Sequence, residues 1–165
     1  MLHPATAHFA VVLPIISLVL GIAYLIKPSE LMSKISTRFM VFSTLFLIAA
    51  YFSGKNDASD VYTFLSKAGQ ALLTKGGEGV LVTHKDLGLY LAISMGLATL
   101  IKFYGCFKKA LKVEIFAILL VTIISGGILY QAKMGGELTY EYGANVTNYS
   151  DGIHCLEEAA AFAED

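Results

Sequence analysis

Residues 5–26 form the stretch ATAHFAVVLPIISLVLGIAYLI, which contains no Lys, Arg, Asp or Glu. A helix needs roughly 20 mostly apolar residues to cross a bilayer, so this stretch predicts a transmembrane helix. No basic residue precedes it and no small-residue cleavage site follows it, which favours a mature helix over a signal peptide. Pro14 lies inside the stretch and is expected to kink the helix.

Three further apolar stretches follow, at about 38–54, 86–107 and 113–132. The first of these three is short enough for a buried helix of a soluble protein, but its neighbours are apolar all round and leave no polar face for water. The sequence therefore predicts an all-α fold, a four-helix transmembrane bundle over residues 1–133. Residues 134–165 are expected to form a C-terminal tail on the outer side.

The composition agrees with a membrane protein, since 56% of the residues are hydrophobic and 15% are charged. The formal net charge is -1, which gives no electrostatic basis for binding nucleic acid. The expected partners are the lipid bilayer and either further copies of the chain or a larger membrane complex.

The basic residues predict the orientation, because lysine and arginine concentrate in cytoplasmic loops. The tail after Ala132 contains Lys133 as its only basic residue, against seven acidic residues. Both termini and the middle loop, residues 55–85, are therefore expected on the outer side of a bacterial inner membrane, with Cys106 inside and Cys155 outside. Seven of the twelve basic residues fall in two short loops: Lys27, Lys34 and Arg38 in the first, and Lys102, Lys108, Lys109 and Lys112 in the second.

Two outer segments have patterns of their own. Apolar residues recur at helical spacing between residues 57 and 73, which predicts a short amphipathic helix in the outer middle loop. Residues 135–146 alternate tyrosine with glutamate between glycines, as in an extended segment with turns. This second segment either closes over the outer opening of the bundle or forms an exposed interfacial loop.

All four histidines, His3, His8, His84 and His154, lie at or beyond the predicted outer ends of the helices. Ionisable residues within membrane helices are rare and usually functional. His8 lies about one turn inside the first helix, and His84 reaches the same depth at the start of the third. This pair predicts the two axial ligands of a non-covalently bound haem b, with Gly88 leaving space for the porphyrin.

Other ligand sets remain open. His3 and His154 are secondary candidates for a haem or a metal, and all four histidines together, with the Cys155 thiolate available, would suit zinc or copper if the tail folds back. Taken singly, His84 is equally explained as a capping residue, and His8 as a hydrogen-bonding partner of a neighbouring helix. The sequence contains no attachment motif for a covalently bound haem.

Four features are distributed over nearly the whole chain: LHP at 2–4, HF at 8–9, His84 at the head of the third span, and the glycine- and tyrosine-containing segment 135–146. They resemble a bacterial family of small four-span membrane proteins catalogued as a domain of unknown function. The histidine placement is similar to that of membrane b-type cytochromes. The family often has a proline directly after the His-Phe pair, whereas this chain has Ala10 there and a proline only at Pro14, which implies a deeper kink.

These observations predict a haem protein that exchanges electrons at the outer face, with quinol and a soluble or attached redox protein as partners. No residue is assigned a catalytic role, and the sequence leaves open whether the protein is an enzyme. The alternative is a non-redox subunit or scaffold, with or without a structural metal. A transporter is disfavoured, because no polar or charged path is apparent across the predicted helices.

Overall fold

The protein is described here by a computed structural model that covers residues 2–64 and 79–140. All four helices of this part of the chain are long and apolar enough to cross a membrane. They confirm the all-α, four-helix membrane bundle. Their bounds are α1 His3–Ile26, α2 Glu30–Phe64, α3 Val80–Lys108 and α4 Leu111–Tyr140.

The four helices form a square in which α1 and α3 each pack against both α2 and α4. Residues 27–29 join α1 to α2, and residues 109–110 join α3 to α4, so each pair is an antiparallel hairpin. We call the end with these two connections the hairpin end. The opposite end, where α1 and α3 begin, is called the histidine end.

All four helices extend beyond their predicted bounds, α2 and α4 the furthest. Because α2 continues to Phe64, the beginning of the predicted amphipathic helix, residues 57–64, is part of α2, and its remainder lies outside the described residues. Because α4 continues to Tyr140, the expectation of an extended segment is wrong for residues 135–140. Met134 and Leu138 are buried in the bundle, and this packing outweighs the low helix propensity of the glycines between them.

The core is built from small and flexible side chains. Met95 and Ala98 of α3 are fully buried, and Met40 of α2 is 1% exposed. Hydroxyl pairs join neighbouring helices at mid-depth, as membrane bundles commonly do: the oxygens of Ser17 and Ser43 are 2.9 Å apart. The large apolar residues on the outward faces are exposed, as expected for helices surrounded by lipid.

Asp57 of α2 stabilises the beginning of α1, because its Oδ2 accepts a hydrogen bond of 3.2 Å from the backbone N–H of His3. A carboxylate at a helix N-terminus satisfies an unpaired donor and interacts favourably with the helix dipole. We expect Asp57→Ala to reduce stability by about 1 kcal/mol in thermal unfolding in detergent. The matched control is Asp86→Ala, which removes an exposed carboxylate whose ion pair with Lys85 is long, at 3.7 Å. Equal unfolding temperatures for the two variants would contradict the capping role.

Candidate functional site

His3 is the first residue of α1 and is half-buried against α2. Its ring lies against the backbone of Gly54: a Cβ added to that glycine would be 2.8 Å from His3 Cε1. The Nδ1 atom of His3 is 3.3 Å from the Ser53 hydroxyl oxygen, which in turn lies 2.8 Å from the Thr6 hydroxyl oxygen. These contacts orient the imidazole and make Gly54 necessary for its position.

His84 lies about one turn inside α3, since this helix begins earlier than the sequence predicts. Its Nδ1 atom is buried and has no hydrogen-bond partner among the described residues. Gly135 of α4 leaves room for the ring, because a Cβ there would be 3.3 Å from His84 Cε1. Gln131, also in α4, donates a hydrogen bond of 3.3 Å to the backbone oxygen of His84.

His3 and His84 lie at the same end of the bundle, near the beginnings of α1 and α3. The two residues belong to α1 and α3, which lie diagonally across the square bundle. Two imidazoles from diagonal helices thus lie at the histidine end, His3 against Gly54 of α2 and His84 against Gly135 of α4.

His8 has a different environment. Its side chain is exposed, and its Nδ1 lies 2.5 Å from the backbone oxygen of Pro4. A carbonyl oxygen only accepts hydrogen bonds, so Nδ1 is the donor in this contact. The buried face of α1 runs through Ala10, Pro14 and Ser17, and His8 lies on the opposite side. The predicted pairing of His8 with His84 rested on depth alone, and depth does not determine the face of a helix.

The space over Gly88 is not open. The side-chain nitrogen of Gln131 occupies the position that a Cβ on Gly88 would need. The expectation that this glycine makes room for a porphyrin is therefore not met in this arrangement. Gly88 instead allows Gln131 to reach the backbone of α3.

The described residues include no group of three or more histidine, cysteine, aspartate or glutamate side chains arranged to hold a metal ion. His154 and Cys155, which the sequence offers as further ligands, lie outside these residues. Within the part of the chain that the structure covers, the partly buried histidines at this end are His3 and His84.

A family model described as "Predicted membrane protein (DUF2231)" matches residues 1–148. The chain belongs to this family. No curated protein and no solved structure matches it. Membership of DUF2231, together with the four candidate spans, shows that this is a membrane protein.

This DUF2231 chain has a second polar site, at the hairpin end, that the sequence analysis missed. The ammonium group of Lys102 in α3 forms an ion pair with Oε2 of Glu114 in α4. The two side chains are 0% and 2% exposed. Lys102 was predicted to lie in the connection between these helices, but α3 continues beyond it and encloses it in the bundle. This ion pair lies at one end of the bundle and was not anticipated from the sequence.

Side chains from the other two helices complete this ion-pair cluster. The Tyr24 hydroxyl of α1 donates to Glu114 Oε1 at 3.0 Å, and the Ser33 hydroxyl of α2 donates to Oε2 at 2.6 Å. The Lys102 nitrogen also lies 4.6 Å from the centroid of the Tyr24 ring. Each helix thus contributes one side chain, and every charged group in the cluster has partners, as burial of charge requires.

One sequence signal points to this cluster. With the turn at residues 109–110, an antiparallel hairpin brings residues 102 and 114 to nearby levels on facing helices. Opposite charges at such positions next to apolar stretches indicate an ion pair. Gly105 then allows α4 to approach, since a Cβ there would be 3.1 Å from the backbone nitrogen of Glu114.

Proposed function

We propose that this protein binds haem b at the histidine end and exchanges electrons at the membrane face on that side. The observation that supports this most directly is the buried Nδ1 of His84, which has no partner among the described residues and lies at the end of the bundle where His3 also lies. Buried polar atoms normally have a hydrogen-bond partner, and an unpaired one is a candidate for binding a group that the protein chain does not supply.

Ligand number favours haem over zinc or copper. A porphyrin supplies four nitrogen ligands to iron, so two histidines complete the coordination. A structural zinc site usually takes four protein ligands, and a catalytic site takes three. The described residues offer two, His3 and His84, and only the tail residues His154 and Cys155 would extend the set.

His3 is the better partner for His84 in this proposal. A histidine ligand commonly binds the metal through one ring nitrogen and donates the other to a second group that fixes the ring. In this proposal His84 binds through Nδ1, its unpaired nitrogen, and His3 binds through Nε2. Ser53 supplies such a group to His3 at 3.3 Å. His8 has a similar arrangement with Pro4, but its Nε2 faces away from the bundle interior.

The position of the site determines its partners. A haem at one end of the bundle serves a single leaflet, so we propose that it accepts electrons from a quinol dissolved in the bilayer. A soluble or attached redox protein at the same face would accept these electrons from the haem. Both proposals depend on haem binding itself.

We further propose that the histidine end faces outward from a bacterial inner membrane, because the basic residues of the short connections favour the cytoplasm. A membrane-impermeant maleimide added to intact spheroplasts should then label a Cys106→Ala variant, through Cys155, and leave a Cys155→Ala variant unlabelled. Labelling after solubilisation in detergent controls for thiol reactivity. The reverse pattern would place the histidine end in the cytoplasm.

The test of the proposed function is an absorption spectrum combined with metal analysis of the purified protein. We expect a Soret band and iron in a fixed ratio to protein, with haem released by acid extraction because it is not covalently bound. A colourless protein that contains zinc or copper would replace haem with a structural metal.

A scaffold role is the second candidate, and one observation favours it. The interior at mid-depth is closely packed, with Met95 and Ala98 fully buried and Val121 1% exposed. A colourless protein without bound metal would support this role and would reject the haem proposal.

A further inference from the structure

A cleft of about 220 Å³ opens at the hairpin end, beside the ion-pair cluster. Its accessible side includes Ser29, Glu30 and Lys109, all of which are exposed. Its inner side includes the buried residues Tyr24, Ser33 and Glu114. The cleft therefore leads from the surface to a carboxylate that is otherwise enclosed by the four helices.

The carboxylate of Glu114 has hydrogen-bonding capacity left over. An ionised carboxylate accepts about four hydrogen bonds. Ser33 and Lys102 both donate to Oε2, and Tyr24 donates to Oε1, so one acceptor position on Oε1 remains among the described contacts. Glu114 is 2% exposed, and an unfilled position on a buried charged group is unfavourable. A donor group that enters the cleft would fill it.

The charges along the cleft specify the kind of donor. Glu30 and Glu114 line it with two carboxylates, and Lys109 is the basic residue of its lining. Lys109 and Glu30 form an exposed ion pair of 3.3 Å, which a zwitterionic ligand can replace with its own two charges. Lys102 is not among the lining residues and lies behind the carboxylate that it neutralises. A positively charged N–H donor thus fits the inner side of the cleft, and a negatively charged oxygen acceptor fits next to Lys109 and the Ser29 hydroxyl.

The cleft lies at the level of lipid headgroups. It is beside the connections at 27–29 and 109–110, where the helices leave the hydrocarbon. The ligands present there at the highest concentration are the headgroups themselves. A headgroup that combines a primary ammonium with a phosphate can place its ammonium at the inner side of the cleft and its phosphate next to Lys109.

We propose that this cleft binds the headgroup of phosphatidylethanolamine. The ammonium donates to Glu114 Oε1 and interacts with Glu30, while the phosphate accepts from Lys109 and Ser29. This inference does not depend on haem binding at the other end of the bundle. Phosphatidylcholine provides a matched comparison, because its three methyl groups remove every N–H donor from the same headgroup.

The experiment uses the full chain in nanodiscs that contain phosphatidylethanolamine and phosphatidylcholine in equal amounts, followed by native mass spectrometry of the lipids retained by the released protein. Hydrogen bonds to charged groups contribute enough to expect about tenfold enrichment of phosphatidylethanolamine. Lys109→Ala should reduce the enrichment severalfold. The matched control is Lys108→Ala, since this neighbouring lysine is also exposed but lies over the Phe107 ring and outside the cleft.

Replacing Glu114 breaks the ion pair with Lys102, so a second variant tests the cleft without changing its charges. Cys106 also lines the cleft, and Cys106→Leu should fill part of the volume and abolish the enrichment. Equal retention of the two lipids by the unmodified protein would overturn the proposal, as would equal enrichment in the Lys109 and Lys108 variants.

Discussion

Replacement of Lys102 by alanine should destabilise the bundle by about 3–5 kcal/mol, because it leaves the Glu114 carboxylate buried without its counter-ion. Both partners are almost completely enclosed, at 0% and 2% exposure, so the remaining carboxylate stays largely desolvated. The residual donors, Tyr24 and Ser33, remain but carry no charge. We expect this to be the largest effect of a single substitution on stability at the hairpin end.

The measurement is thermal or denaturant unfolding of the purified protein in detergent. A double variant, Lys102→Met with Glu114→Leu, should recover most of the stability, since apolar residues of similar size often replace a buried ion pair without loss. Lys108→Ala is the control for removal of a lysine at the same end. A Lys102→Ala variant with the same unfolding midpoint as the parent would show that the cluster does not behave as a buried ion pair. A double variant less stable than the single variant would show the same.

Replacement of His84 or His3 by alanine should remove most of the haem from the purified protein, because each variant loses one of the two proposed axial bonds. Any haem that remains should be five-coordinate, and the low-spin spectrum of a bis-histidine haem should be absent. His8→Ala should keep the parent spectrum, since this side chain is exposed and faces away from the bundle interior.

His8 is the matched control for His3, because the two are the same residue type on the same helix, five positions apart. The spectrum, the haem content and the unfolding temperature should be measured together, so that loss of the cofactor is distinguished from loss of the fold. If His8→Ala loses haem and His3→Ala keeps it, the axial ligands are His8 and His84, the pair predicted from depth in the membrane. If neither His84→Ala nor His3→Ala changes the spectrum, the proposed site is wrong.

The number and class of the helices could be predicted because the hydrocarbon core requires long apolar helices with internally paired backbones. Their ends could not, because polar residues continue a helix wherever neighbouring helices cover them. Lys102 illustrates this limit. A lysine near a predicted loop is usually a surface residue, and only the packing of Tyr24, Ser33 and Glu114 around it makes it an interior one.

The sequence by itself determined that this is a four-span helical membrane protein with its histidines concentrated towards one end, since apolar length and residue depth are properties of the chain alone. The tertiary structure decided which of the two histidines of α1 faces the bundle. His3 and His8 are at similar depths, but the contacts of α1 with α2, through Gly54, Ser53 and Asp57, direct His3 towards the bundle and leave His8 exposed. The face that a helical residue presents depends on rotation about the helix axis, and packing between helices sets that rotation.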